Sequence, residues 1–187
     1  MTGIEPRSFA RATGLVYFGY FAAAIFGSIL VSRKLGGGLA IVCLSDVLYA
    51  ATTLLFYRLF RSVSGVLALV ATAFALLGCA TDILGNINRV PAWLSPLLFF
   101  GPFCTLLGLL ILRSEFLPHW LGWPLIVAGV GWLAFLIPFV ALHAKVVIFP
   151  LGFLAELVLM LWLLIKGVDE THWAVAELKR RSPATAT

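Results

Sequence analysis

Six long apolar runs, separated by short segments that carry most of the charges, constrain the fold of this chain more than any other feature. A helix that crosses a bilayer needs about 20 mostly apolar residues. The charged segments delimit such runs at about residues 12–31, 39–57, 63–81, 94–112, 121–142 and 146–165. The sequence therefore predicts an all-α integral membrane protein with six transmembrane helices in three hairpins.

Composition supports this class, since 62% of the residues are hydrophobic and only 11% are charged. The mean hydropathy of +1.08 lies far above that of soluble domains. The formal charge is +5, but the basic residues flank the apolar runs or lie in the tail. Such residues set topology and contact anionic headgroups, so the expected partner is the lipid bilayer and no nucleic acid.

The three cysteines lie inside apolar runs and form no CxxC pair, which is typical of small hydrophobic filler residues. The three histidines lie near predicted helix ends or in the tail, which argues against a haem held within the membrane. The sequence therefore predicts no metal site and no cofactor.

Orientation follows from the distribution of basic residues. With the amino terminus inside, nine basic residues fall on the cytoplasmic side and four on the other, so both termini are predicted to be cytoplasmic. The first run is longer than a signal-peptide core and exits through Ser32-Arg33-Lys34 without a small-residue cleavage site. It is therefore expected to be retained as a span.

Short loops leave room for one domain. Residues 1–167 are predicted to form a single six-helix membrane domain, and residues 168–187 a cytoplasmic tail. The tail is expected to be partly helical and then disordered, with its basic cluster against lipid headgroups.

Two carboxylic acids, Asp46 and Glu156, interrupt the second and sixth runs. At about 1.5 Å per residue they lie roughly 18 and 15 Å from the inner interface, near the middle of the bilayer. A charge at that depth costs about 2.5 to 3.5 kcal/mol on insertion scales, so such acids usually serve a partner, cavity or pathway. They are the leading candidates for a functional site.

Neighbouring polar side chains extend this candidate site. We expect a binding site formed by Asp46, Glu156, Tyr49, Ser45, Thr52 and Tyr20. The alternative for Asp46 is a neutral acid that hydrogen-bonds a neighbouring helix. Glu156 could equally join helices, and the sequence leaves Tyr17, Tyr20 or Asp46 open as its partner.

Other polar features have structural interpretations. Asp82 follows the third run and is expected in a solvated loop or helix cap. Arg11 and Arg113 are expected to be cytoplasmic anchors, and Pro102 and Pro138 to kink the fourth and fifth spans.

Several segments together resemble a bacterial membrane family catalogued as domain of unknown function 4386. The matching pieces are the segment from Ala10 to Tyr17, Asp46, the run from Leu112 to Pro118 with Leu121-Gly122, and the segment from Ala155 to Gly167. The resemblance implies a multi-pass protein of the bacterial cytoplasmic (inner) membrane, with no reaction or ligand attached. It marks Arg11, Asp46, Arg113 and Glu156 as typical positions without assigning them roles.

Three functions fit these observations. The first is binding or transport of a small apolar or cationic molecule, with Asp46 and Glu156 as counter-ions or proton sites. The small chain would favour a homodimer for transport. The second is an intramembrane enzyme that uses the same acids as acid and base, which the missing catalytic motifs make less favoured. The third is a structural subunit of a membrane assembly.

Overall fold

The computed structural model describes residues 5–91, 94–143 and 145–181, and these residues are helical without any β-strand. The α-helices are α1 (Pro6–Ser32), α2 (Gly38–Phe60), α3 (Gly65–Asn86), α4 (Leu97–Arg113), α5 (Gly122–Ala134), α6 (Pro138–His143), α7 (Lys145–Ile165) and α8 (Glu170–Arg181). A 3-10 turn, His119–Leu121, precedes α5. The part of the tail predicted to be disordered, from residue 182 onward, lies outside the described residues.

Four of these helices are long and apolar enough to cross a membrane: α1, α2, α3 and the segment Val146–Ile165 of α7. On the outer surfaces of these helices, large apolar side chains such as Leu15, Val66 and Val146 are more than half exposed. A soluble protein rarely exposes apolar faces of this extent, whereas lipid tails cover them. Two further predicted spans correspond to shorter apolar helices, and α4, with 17 residues, is about 25 Å long.

The fifth predicted span is not one continuous helix. Its helix α5 ends at Ala134, the next three residues form a tight turn, and α6 begins at Pro138. In the turn, the N–H of Ile137 bonds to the carbonyl of Ala134 at 3.0 Å. Proline has no N–H to continue the helical pattern, and it disfavours helical geometry in the preceding residue. The proline therefore breaks the span instead of only kinking it.

The helices form a closed ring. Consecutive helices α1 to α5 pack side by side, α5 packs on α7, and α7 packs on α1. Helices α1 and α3 begin, and helices α2, α4 and α7 terminate, at the same end of the ring, which we call the basal end. The distal end is the opposite one. This ring gives the long helices an inner surface on which polar side chains can meet away from lipid.

Closure of the ring depends on a close approach between α1 and α7. A Cβ atom at Gly14 would lie 2.5 Å from the backbone nitrogen of Leu164, so only glycine fits there. One turn earlier, the Arg11 guanidinium donates a hydrogen bond to the carbonyl of Ile165 at 3.0 Å. The last carbonyls of a helix lack partners within the helix, and Arg11 supplies one. Arg11 thus joins α1 to α7.

Helix α8 lies across the basal end. The indole N–H of Trp173 donates to the carbonyl of Leu59, in the last turn of α2, at 3.2 Å. At the start of α8, the Asp169 carboxylate accepts the backbone N–H of His172 at 3.0 Å, and this hydrogen bond lowers the pKa of Asp169. The helical part of the predicted tail is therefore capped and docked on the ring.

Candidate functional site

Glu156 is the polar centre of the ring. The hydroxyl of Tyr17 donates to Glu156 Oε2 at 2.6 Å, and that of Tyr49 donates to the same oxygen at 3.3 Å. The thiol of Cys104 donates to Oε1 at 3.5 Å. These donors come from α1, α2 and α4, so one acid on α7 joins four helices. We call these four residues the Glu156 cluster.

Helix geometry explains why the four residues meet. Each lies 9 to 11 residues from the basal end of its helix, which corresponds to about 14 to 17 Å at 1.5 Å per residue. Members of a ring of antiparallel helices that share a depth can face one another. Of the three partners that the sequence left open for Glu156, the structure shows Tyr17 as the direct hydrogen-bond donor.

Aromatic rings fix the positions of the two donating tyrosines. The ring of Tyr17 lies 5.9 Å from that of Tyr49 and 5.6 Å, edge to face, from that of Phe56. Tyr49 is also flanked by Tyr20 at 4.5 Å and by Phe100 at 5.4 Å between centroids. Aromatic pairs at these distances restrict rotation of the rings and stabilise the cluster.

A cavity of about 390 Å³ extends from Glu156 toward the distal end. Three carboxylic acids line it, on α2, α3 and α7: Asp46, Asp82 and Glu156. Its aromatic wall consists of Tyr20, Phe21, Tyr49, Phe100, Trp132, Phe149 and Phe153. The remaining lining residues are Ala24, Ser28, Val42, Ser45 and Leu97. We call this space the acidic cavity.

Asp46 and Asp82 form a pair of carboxyl groups on the wall of the acidic cavity. Their carboxyl groups lie close enough to interact electrostatically. Asp46 is only 5% exposed, and its Oδ2 has no hydrogen-bond partner among the described residues. A buried carboxylate oxygen without a donor is costly. Asp46 therefore contributes an acid to the cavity wall, with its Oδ2 atom buried.

The position of Asp82 corrects a prediction. The third span was expected to end near Thr81, with Asp82 in a loop or cap, but α3 continues to Asn86. No proline interrupts this segment, and the chain reverses only at Asn88, whose φ of 55° lies in the left-handed region. Asp82 therefore stays on the helix and lines the cavity.

The structure brings five of the six predicted site residues together. Asp46, Glu156, Tyr49, Ser45 and Tyr20 all line the acidic cavity. The sixth, Thr52, is buried elsewhere on α2, and its hydroxyl donates to the carbonyl of Leu48 at 2.8 Å. Thr52 therefore does not line the cavity, and its hydroxyl is hydrogen-bonded within the helix.

The sequence did not predict two polar residues of the site. Cys104 was interpreted as apolar filler, yet its thiol contacts Glu156, and no local pattern distinguishes it from Cys43 or Cys79. Asp82 carried a usable signal, because it is a third acid next to an apolar run. Asp46 and Glu156 have different partners, so they share one cavity without forming one hydrogen-bonded pair.

Comparison with known proteins finds one family model that matches part of the chain. A family model described as a domain of unknown function, DUF4386, matches residues 86–167. The predicted resemblance is confirmed for this part of the chain. The DUF4386 match contains Arg113 and Glu156, whereas the segment 10–17 and Asp46 lie outside it.

A relative from Archaeoglobus fulgidus, described as an uncharacterized protein, is 29% identical over 137 residues. The aligned region makes up 70% of this chain and 82% of the relative. No solved structure matches the chain. The descriptions of these matches name no activity.

Proposed function

We propose that the protein binds, and in a membrane transports, a small cation with an apolar body, using the acidic cavity as its site. The observation that carries the proposal is the combination of three carboxylic acids with an aromatic wall around about 390 Å³. That volume falls within the range of small-molecule pockets. Carboxylates and aromatic faces attract a cation, while the rings also pack against an apolar body.

The membrane arrangement proposed with this function has six spans. The broken segment α5–α6 and the 17-residue α4 supplement the four long helices. In this proposal the basal end and both termini face the cytoplasm, and the membrane is the cytoplasmic membrane of a bacterial cell. The excess of basic residues on one side supports this orientation. The acidic cavity reaches Ser28 and Leu97 at the distal ends of α1 and α4, so its ligand would enter from outside.

Binding of benzyltrimethylammonium tests this function. We expect this cation to raise the unfolding temperature of the purified protein in detergent, with a saturable dependence on concentration. Neopentylbenzene, which replaces the charged nitrogen with carbon, is expected to bind at least tenfold more weakly. Asp46→Asn and Asp82→Asn are each expected to weaken binding of the cation about tenfold, because each removes a carboxylate charge that attracts the quaternary ammonium in a space of low dielectric constant.

The matched control is Asp169→Asn, which removes an exposed acid remote from the acidic cavity. This variant should bind the cation as the native protein does. Equal binding of the neutral analogue, or equal loss in Asp169→Asn and Asp46→Asn, would show that the cavity does not select a cation.

A further inference from the structure

A second cavity, of about 380 Å³, lies at the basal end and shares no lining residue with the acidic cavity. It is formed by the α2–α3 connection, the end of α4 with the residues that follow, and helix α8. Four basic side chains line it, from three separate parts of the chain: Arg61, Arg113, Lys179 and Arg180. We call this space the basic pocket.

The positive charge of the basic pocket is largely uncompensated. One acid, Glu115, lines the same space. Arg180 is neutralised by Glu177, with a contact of 2.7 Å between Nη2 and Oε1. Within the described part of the chain, no acidic side chain forms an ion pair with Arg61, Arg113 or Lys179. Three cations thus converge on one concave space without a matching set of anions.

The guanidinium group of Arg61 is not fully satisfied by hydrogen bonds within the described residues. Its Nε atom is buried and has no hydrogen-bond acceptor among the described residues. A guanidinium N–H that is removed from water and left unbonded costs more than an ordinary unmade hydrogen bond, because the group is charged. The buried Nε atom does not open onto the basic pocket, but the Arg61 side chain lines the pocket, and guanidinium groups match the geometry of phosphate oxygens.

The start of α3 adds backbone donors to the same wall. Ser64 caps the helix by accepting the N–H of Leu67 at 3.4 Å, and it lines the pocket together with Gly65. A Cβ atom at Gly65 would meet nothing within 4 Å, so the backbone there is open to the pocket. The first N–H groups of a helix lack internal partners and carry a partial positive charge, which favours anions.

We propose that the basic pocket binds a phosphate group. Several unpaired cations and a helix amino terminus suit a group with three or more acceptor oxygens better than a single carboxylate. Two sources have this chemistry, namely the headgroup of an anionic phospholipid and a soluble phosphate compound. The pocket lies at the basal end of α2 and α4. In the proposed arrangement this end meets the cytoplasmic surface of the membrane, which both sources can reach.

Thermal unfolding in phospholipid-free detergent distinguishes the two sources. One arm titrates inorganic phosphate, and the other titrates dioctanoyl phosphatidylglycerol, with dioctanoylglycerol as the analogue that lacks phosphate. At least one phosphate-bearing probe is expected to stabilise the native protein in a saturable manner. Arg113→Gln is expected to weaken that probe about tenfold or more, because it removes a charge-assisted contact. Arg113 is exposed, so its replacement should leave the fold intact.

Arg58→Gln is the matched control, since it removes one exposed positive charge from the same end of α2 without lining the pocket. It should change binding less than twofold. Stabilisation by phosphatidylglycerol alone identifies a headgroup site, and stabilisation by phosphate identifies a site for soluble phosphate compounds. The proposal fails if neither probe stabilises the protein, if dioctanoylglycerol stabilises it equally, or if Arg58→Gln weakens binding as much as Arg113→Gln.

Discussion

Replacing Gly108 with alanine is expected to lower the free energy of unfolding by about 2 kcal/mol, and replacing it with leucine by about 3 kcal/mol. A Cβ atom at Gly108 would lie 2.6 Å from the carbonyl oxygen of Gly122 and 2.7 Å from the side chain of Ile126. The first of these neighbours is backbone, so it cannot move unless α4 and α5 separate. Separation would remove the close packing that stabilises helix pairs in membranes.

The α4–α5 contact uses glycines at a regular interval. Gly101 and Gly108 on α4 are seven residues apart, as are Gly122 and Gly129 on α5. Gly108 faces Gly122, and a Cβ atom at Gly101 would lie 3.0 Å from the carbonyl oxygen of Gly129. Two turns of helix separate the positions in each pair, so both contacts fall on the same face. The two helices therefore touch through their backbones along most of α5.

The matched control for Gly108→Ala is Gly19→Ala on α1. A Cβ atom there would meet a single side-chain carbon of Leu48, at an ordinary 3.7 Å. We expect Gly19→Ala to be neutral or stabilising by up to about 1 kcal/mol, because alanine is the better helix former. Reversible unfolding of both variants in detergent measures the difference. Equal stabilities would mean that α4 and α5 do not pack through these glycines.

Glu156→Leu is expected to lower the free energy of unfolding by about 3 kcal/mol, whereas Glu156→Gln should cost about 1 kcal/mol or less. Leucine leaves the buried hydroxyl of Tyr17 without its acceptor, and it also removes the acceptor of Tyr49 and Cys104. Glutamine keeps one carbonyl oxygen in place to accept from Tyr17. The comparison therefore measures hydrogen bonding within the Glu156 cluster separately from the charge of the acid.

A double-mutant cycle with Tyr17→Phe isolates the strongest contact, at 2.6 Å. The combined variant should be more stable than the sum of the single effects predicts, with a coupling of about 1 to 2 kcal/mol. A matched cycle with Thr52→Val should give no coupling, because Thr52 bonds only within α2. Additive effects for Tyr17→Phe and Glu156→Leu would contradict the cluster.

The sequence predicted most of the helices because length and hydropathy act locally. The segments predicted at residues 12–31, 39–57 and 146–165 fall inside α1, α2 and α7. The prediction of one continuous fifth helix was wrong, because a helix-breaking residue lies within that long apolar run. The apolar run continues through Pro138, but proline cannot continue the helical hydrogen-bond pattern. The helix is therefore divided there.

The sequence predicted the two central acids of the candidate site, but it did not predict the residues that contact them. Asp46 and Glu156 stand out because carboxylates are rare within apolar runs, and that signal requires no knowledge of neighbours. The pairing of Asp46 with Asp82, and the contact of Cys104 with Glu156, depend on how α2, α3, α4 and α7 are arranged. Hydropathy is the same whichever way a cysteine on an apolar helix faces.

The sequence by itself determined that this chain is helical and apolar, and that two acids lie near the middle of its long helices, because burial cost and helix length are properties of single segments. Only the tertiary structure decided that Glu156 joins four helices, that Asp46 faces Asp82, and that Arg61 meets α8 in a basic pocket. The ring of helices fixes which inner faces meet, and the close glycine contacts set their spacing, so these neighbours arise from packing between segments far apart in the chain.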